Sequence, residues 1–569
     1  MKSPTNKIRT ARLALGLLAV LPCSLVSAAS AYWDADATVN GTYGGTGTWN
    51  TSTANWGGAA DGTGTDNVWN TADNATFLRG TTGTVTVDAG GISATAISFG
   101  VSAGSFTTGS TSYSLGGGKI TLLTADNTNG IVASEGTTTI GNAIDFSTSV
   151  RVNITTAGTA LNINGGMNFT AASAKTLLFF GQADNDTNIG ALTKSGGTNA
   201  LLTFGGATGS SLATYNLNGS NTGISNVTVN KGIVVVNNAG ALGSGSFTFT
   251  GTVTGAETQT LLIGTSGITL SKTIAFTNNA NSITDIRVVG STITTGTATF
   301  SGNLDMRSGG SVATQVTSAS GGTTVFSGLI DDSTETIGVT KTGAGIVKFT
   351  RPAGMNYDGG TTVSSGTLLV TNTSGSGTGT GAVTVSNTAT FGGSGIVSGA
   401  TTAASGSFLS PGSDAGVTGN LTFGGTLDIS GLAGGTAGLL FDLDTTAASD
   451  KITLSSGALS IGTGALDLND FSFTTLGGFG VGTYTLFDTS TSIVGSFGSN
   501  LTGTLGGFNA VLSFANGNQD IVLTVTTVPE PSTYAAILGT LVLVGTVWRR
   551  RPRALITNLS LVHLTTWGR

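Results

Sequence analysis

What most constrains this chain is a rhythm. Runs of roughly four to six β-favouring residues recur about every 8–12 residues, each closed by Gly, Asn, Asp, Ser or Thr. Gly83-Thr-Val-Thr-Val-Asp88, Ile233-Val-Val-Val236, Gly245-Ser-Phe-Thr-Phe-Thr250, Gly366-Thr-Leu-Leu-Val370 and Ala382-Val-Thr-Val385 are examples. Short strands at this spacing permit a sandwich, a barrel or a solenoid and leave no room for a helical fold. Composition points the same way. Gly supplies 91 of 569 residues, well above a usual share of about 7 %. Only four Glu and ten Lys are present, so good helix formers are scarce, whereas Thr, Val, Ile and Phe suit a pleated surface. Seven prolines and a mean hydropathy of +0.26 set the chain apart from a charged or Pro-rich disordered polymer.

Charge is placed unevenly. Between Tyr32 and Val528 lie 13 basic and 27 acidic residues, a net charge of −14. A body that acidic, with no basic stripe, has nothing to neutralise phosphates, which argues against nucleic-acid binding. The lone cysteine, Cys23, falls in the leader described below, so neither disulfides nor a thiol or cysteine metal site is expected beyond it. A lipoprotein role for Cys23 is disfavoured because Pro22 stands where a small residue is needed.

Internal repeats narrow the fold. Leu192-Thr-Lys194-Ser-Gly196 leads to Leu201-Leu-Thr-Phe204 and then Asn230-Lys-Gly232-Ile-Val-Val-Val236. A second copy reads Val339-Thr-Lys341-Thr-Gly343-Ala-Gly345-Ile-Val-Lys-Phe349, then Asn356-Tyr-Asp-Gly359-Gly360-Thr-Thr-Val363, then Ser365-Gly366-Thr-Leu-Leu-Val370. This copy resembles the autotransporter-associated β-strand repeat, and Tyr32-Trp-Asp through Asn55-Trp-Gly57 resembles the start of such exported proteins. The resemblance implies an all-β, right-handed parallel β-helix (solenoid) body. Stacked at about 4.8 Å per coil of roughly 20–25 residues, such a body makes a rod on the order of 100 Å long. No pattern of alternating membrane-barrel strands follows, so self-translocation is not implied. The expected division is a signal peptide (1–31), an N-terminal β cap (32–90), the solenoid (91–419), a C-terminal β section with longer strands (420–527), an anchor (528–553) and a tail (554–569).

Both ends carry addresses. Lys2, Lys7, Arg9 and Arg12 precede the apolar stretch Leu13 to Val26, and Ala29-Ser30-Ala31 fits small-x-small cleavage, expected after Ala31. A signal helix is expected there. At the other end Pro529-Glu530-Pro531 precedes the apolar run Tyr534 to Trp548 and the basic cluster Arg549, Arg550, Arg551 and Arg553. Physically this reads as a short single membrane helix with its arginines held on the cytoplasmic side. The order triplet, apolar helix, basic cluster resembles the PEP-CTERM sorting signal. That implies an inner-membrane stage, recognition by an exosortase-type membrane transpeptidase, and release to the cell surface or exopolysaccharide matrix. The continuation from Ala554 to Arg569, with the only histidine, His563, departs from the family pattern.

Motifs with chemical potential are weak. Gly100-Val101-Ser102-Ala103-Gly104 matches a nucleophile elbow, which needs a following helix and a histidine. Asp184-Asn185-Asp186-Thr187-Asn188 has calcium-like spacing, but Ile189 and Ser195 occupy the positions where an EF-hand loop wants Gly and an acid. Gly375 to Gly381 reads as a flexible Gly/Thr linker rather than a phosphate loop. Asp331-Asp332 and Asp442/Asp444 are candidate carboxylate pairs for glycoside hydrolysis. Trp33, Trp49, Trp56 and Trp69 read either as a cap over the solenoid end or as a sugar-stacking platform. The expected function is an exported structural or adhesive surface protein, not an enzyme, with no cofactor or metal. The alternative is a β-helix carbohydrate-active enzyme or carbohydrate-binding protein.

Overall fold

The computed structural model describes residues 28–549 except 37–42, 62, 183, 197–199, 206–211, 251–257, 278–284, 307–312, 334, 415, 436 and 529–530; within 531–534 and 547–549 it describes backbone only. The signal segment up to residue 27, Pro529, Glu530, Arg550, Arg551, Arg553 and the tail 554–569 lie outside the described residues.

The chain folds as a parallel β-solenoid. Successive strands pair not with their sequence neighbours but with strands one coil further on. Ile120 pairs with Ile144, Ile144 with Met167, and Met167 with Leu192, intervals of 24, 23 and 25 residues. One face is an open ladder of eighteen strands from Gly47–Trp49 to Val494–Phe497. A second is a fourteen-stranded sheet from Ile330–Asp331 back to Ser30–Trp33, completed by Trp56–Gly57 and Asp66–Asn67. The third is built in sections, of which Ile92–Ala94 to Leu192–Lys194 and Thr269–Leu270 to Phe471–Thr475 are two. The parallel stack runs through Asn420 without a break, since Asn420–Phe423 pairs with Ile396–Val397 on one side and Lys451–Leu454 on the other.

The strands form because each offers one apolar edge to the interior. In Val150–Ile154, Val150, Val152 and Ile154 are buried while Arg151 and Asn153 face outward. Like residues then meet in register: Phe77 stacks on Phe99 at 4.8 Å, and Phe300 on Phe326 at 5.0 Å. Turns between faces are tight enough to demand glycine at particular places. Gly366 has φ +64°, and a Cβ there would stand 2.5 Å from the Gly343 carbonyl oxygen of the preceding coil.

Both ends close with antiparallel strands. At the start, Ser30–Trp33 pairs antiparallel with Trp56–Gly57, which pairs with Asp66–Asn67. At the finish, Gly482–Thr489, Asp520–Thr526, Phe508–Ala515 and Thr502–Leu505 form an antiparallel meander. A helix follows, Pro531–Arg549. Among the described residues no helix is long and apolar enough to cross a membrane.

Candidate functional site

Stacking turns outward-facing residues into ranks. Asn162 Nδ2 donates to Thr139 Oγ1 at 3.3 Å, Asn188 Nδ2 to Asn162 Oδ1 at 2.6 Å, Asn218 Nδ2 to Asn188 Oδ1 at 3.4 Å and Asn237 Nδ2 to Asn218 Oδ1 at 2.8 Å. On another face Lys119 Nζ meets Asp145 Oδ2 at 2.7 Å, Asn168 Nδ2 donates to Asp145 Oδ1, and Thr193 Oγ1 donates to Asn168 Oδ1. Further along, Thr340, Thr362, Thr384, Thr402, Asp428 and Ser460 stand in one register line. A shallow groove of about 340 Å³ runs beside Thr340 and Thr362, floored by Gly338, Gly359 and Gly360. These surfaces are polar and repetitive at the coil spacing of about 4.8 Å.

The carboxylate pairs have structural employment. Asp332 Oδ2 accepts the N–H groups of Ile337 and Asp358, and Asp331 Oδ1 accepts from Ser333 N–H and Asn356 Nδ2. Asp442 Oδ2 accepts from Gly416 N–H and Asp444 Oδ1 from Gly478 N–H. Each fastens a turn to the next coil. Asp450 was not singled out by its sequence, yet it is buried and accepts from Gly419 and Asp442 N–H groups. Burial pushes its carboxyl up to about 7.

The other motifs resolve as architecture. Ser102 follows the strand Ala96–Val101 and leads into a turn closed by Ala103 and Phe106, not a helix. Asn185 is buried, donating to the Thr156 and Thr159 carbonyls, and Asn188 belongs to the amide rank. Among the described residues no group of three His, Cys, Asp or Glu is placed to hold a metal. The Gly375 to Gly381 stretch is no flexible linker: Ser376 and Thr378 are buried, and Asn372 Nδ2 donates to the Ser374, Gly375 and Ile396 carbonyls. All four tryptophans of the N-terminal cluster are at most 3 % exposed, so none offers a face to a sugar. The stacking-platform reading has no exposed ring to rest on; the four side chains belong to the core at the antiparallel start of the solenoid.

Lys341 carries a role that its sequence did not reveal. Its side chain is fully buried and Nζ donates to the carbonyls of Thr342, Gly343 and Ser365 at 2.8–2.9 Å, tying the Gly343 turn to the Gly366 turn one coil on. Burial pushes the ammonium down from 10.5 to about 8. The unfolded chain therefore binds the proton more tightly between those values, and stability against urea rises with pH from about 8 towards 10. Lys341→Met abolishes that slope. By stranding three turn carbonyls it also lowers stability at pH 7 by about 1–3 kcal/mol. Urea titrations of both proteins at pH 7, 8.5 and 9.5 check both effects; identical slopes would sink the assignment.

No family model matches the chain. A stretch of 135 residues is 38 % identical to the adhesin BmaC autotransporter of Brucella suis biovar 1 (strain 1330). The match takes in 23 % of this chain and spans 4 % of that protein. It is a local similarity to part of an autotransporter adhesin.

Proposed function

We propose that the chain is an exported cell-surface or matrix protein with a structural and adhesive role, performed by the outer faces of the solenoid rather than by an active site. The observation that carries this reading is the run of stacked amide and hydroxyl ranks on a parallel solenoid, together with the local similarity to an adhesin. Repeating neutral donors and acceptors suit shallow, multivalent contact with a hydroxyl-rich polymer such as an exopolysaccharide, where many weak bonds add. Carboxylates committed to turns do not favour hydrolysis, and the reading includes no catalysis and no cofactor.

The C-terminal end serves sorting in this proposal. Ile537, Leu538, Leu541, Val542, Leu543 and Val544 are all more than half exposed on the helix Pro531–Arg549. A helix that apolar and that uncovered needs another environment. A short, transient stay in the inner membrane supplies it, with Arg549, Arg550, Arg551 and Arg553 on the cytoplasmic side. Processing by an exosortase-type transpeptidase then acts at Pro529-Glu530-Pro531. Cells producing the full chain, or a chain lacking 529–569, are fractionated and the mature C-terminus sequenced. Most of the full chain is expected at the surface or in the matrix, ending near the triplet, and most of the truncated chain is lost from that fraction. Uncleaved protein retained in the inner membrane overturns the sorting reading.

A further inference from the structure

The segment expected to supply the signal-cleavage site is built into the fold. Ser30–Trp33 is a strand whose residues pair in parallel register, Ser30 with Asn74, Ala31 with Ala75 and Tyr32 with Thr76. Asn74 N–H donates to the Ala29 carbonyl at 2.8 Å. The Asn74 side-chain amide reaches the Ala28 carbonyl at 3.4 Å. Ala31 is only 9 % exposed and belongs to the same core as Trp33, Ala75 and Phe77. The strand also joins the antiparallel cap to the first parallel rung.

A cut after Ala31 removes two of those three paired residues. It strips the acceptor from Asn74 N–H and puts a new ammonium on Tyr32, in the middle of the ladder. Backbone donors left without partners at a sheet edge are costly and invite pairing with other chains. A cut after Ala28 does none of this. It keeps every paired residue of the strand and costs only the long contact from the Asn74 side chain to the Ala28 carbonyl, while the backbone N–H of Ala29 lies close enough to the Asp73 carboxylate to oppose the rise that burial gives its pKa. Freed as an α-ammonium, that nitrogen becomes the cationic partner of a carboxylate that burial otherwise disfavours. Upstream, Val26-Ser27-Ala28 places an aliphatic and a small residue at the two positions a signal peptidase reads, after the apolar stretch has ended.

We infer that the leader is cut between Ala28 and Ala29, so that the mature protein begins at Ala29 with its α-ammonium on Asp73. This deepens the export reading and rests on it. The peptidase step is a hydrolysis: water adds across the Ala28–Ala29 amide, giving the leader a carboxylate and the mature chain an ammonium. The full chain is produced in a bacterium with an intact export route and the N-terminus of the exported protein is read by terminal-peptide mass spectrometry. A start at Ala29 is expected. A start at Tyr32 or Ser30 overturns the inference while leaving export intact; an unprocessed Met1 terminus overturns export itself. Two variants separate the bonds before folding can intervene. Ala28→Leu is expected to lose or move the cut, and Ala31→Leu to leave it at Ala29; the reverse pattern overturns the assignment.

Discussion

Replacing Trp56 by alanine is expected to destabilise the N-terminal coils by about 3–5 kcal/mol, the range for emptying a buried large aromatic site. Trp56 is the hub of the cap: its ring lies 5.2 Å from Trp33, 4.9 Å from Trp49, 4.6 Å from Trp69 and 6.0 Å from Phe77. Aromatic pairs in such tilted and edge arrangements contribute about 0.5–1.5 kcal/mol each beyond area burial. The Trp56 indole N–H has no hydrogen-bond partner, so the loss is one of packing alone. Trp56→Phe, which keeps most of the apolar volume, should therefore cost much less. Because a solenoid couples each coil chiefly to its neighbours, the damage should be local. Limited proteolysis is expected to open the first coils of Trp56→Ala while the C-terminal half stays protected. Tryptophan fluorescence should shift to the red at a lower urea concentration than in the parent. Uniform loss along the whole chain, or no loss, contradicts a cap.

The cap was legible because four tryptophans crowd into a stretch that ends where the strand rhythm begins. The solenoid itself was legible in part. Glycines at turn positions and the Lys341 repeat pointed to stacked coils, and the coil length near 24 residues agrees with the expected 20–25. Register was not legible, for a physical reason. In a parallel ladder both inward and outward positions tolerate Thr, Val and Ile, so alternation does not fix which edge faces in. Ile286-Arg287-Val288-Val289 is the clearest case. Its pattern suggests Ile286 and Val288 inside and Arg287 outside, yet the structure buries Arg287 and Val289. The amide rank was equally hidden. Nothing in the sequence links Asn162, Asn188, Asn218 and Asn237 to one another, and only the stacking of coils puts them in line. The role of the carboxylate pairs was hidden for the converse reason, since an acid that clasps a neighbouring coil's N–H looks in sequence like an acid free to act.

The inverted register at Arg287 has a large energetic consequence. Its side chain is fully buried, with Nε donating to Gln259 Oε1 at 3.1 Å, the guanidinium 4.8 Å from the centre of the Phe276 ring, and Asp285 Oδ2 4.0 Å away and equally buried. Gln259, from the coil before, is itself held by the Asn230 and Thr250 carbonyls. A polar rung thus crosses the interior, and burial pushes the guanidinium down to about 10 even with Asp285 beside it. Removing one member of a buried ion pair costs about 3–5 kcal/mol, whereas replacing both charges together is far less costly. Arg287→Met is therefore expected to lose that much stability in urea titrations at pH 7. The double variant Arg287→Met/Asp285→Asn should recover at least half of the loss, since neither replacement carries a charge into the core. If Arg287→Met proves as stable as the parent, the pair contributes nothing. If the double variant is worse than the single, the rung is held by hydrogen bonds to Gln259 and the backbone rather than by charge.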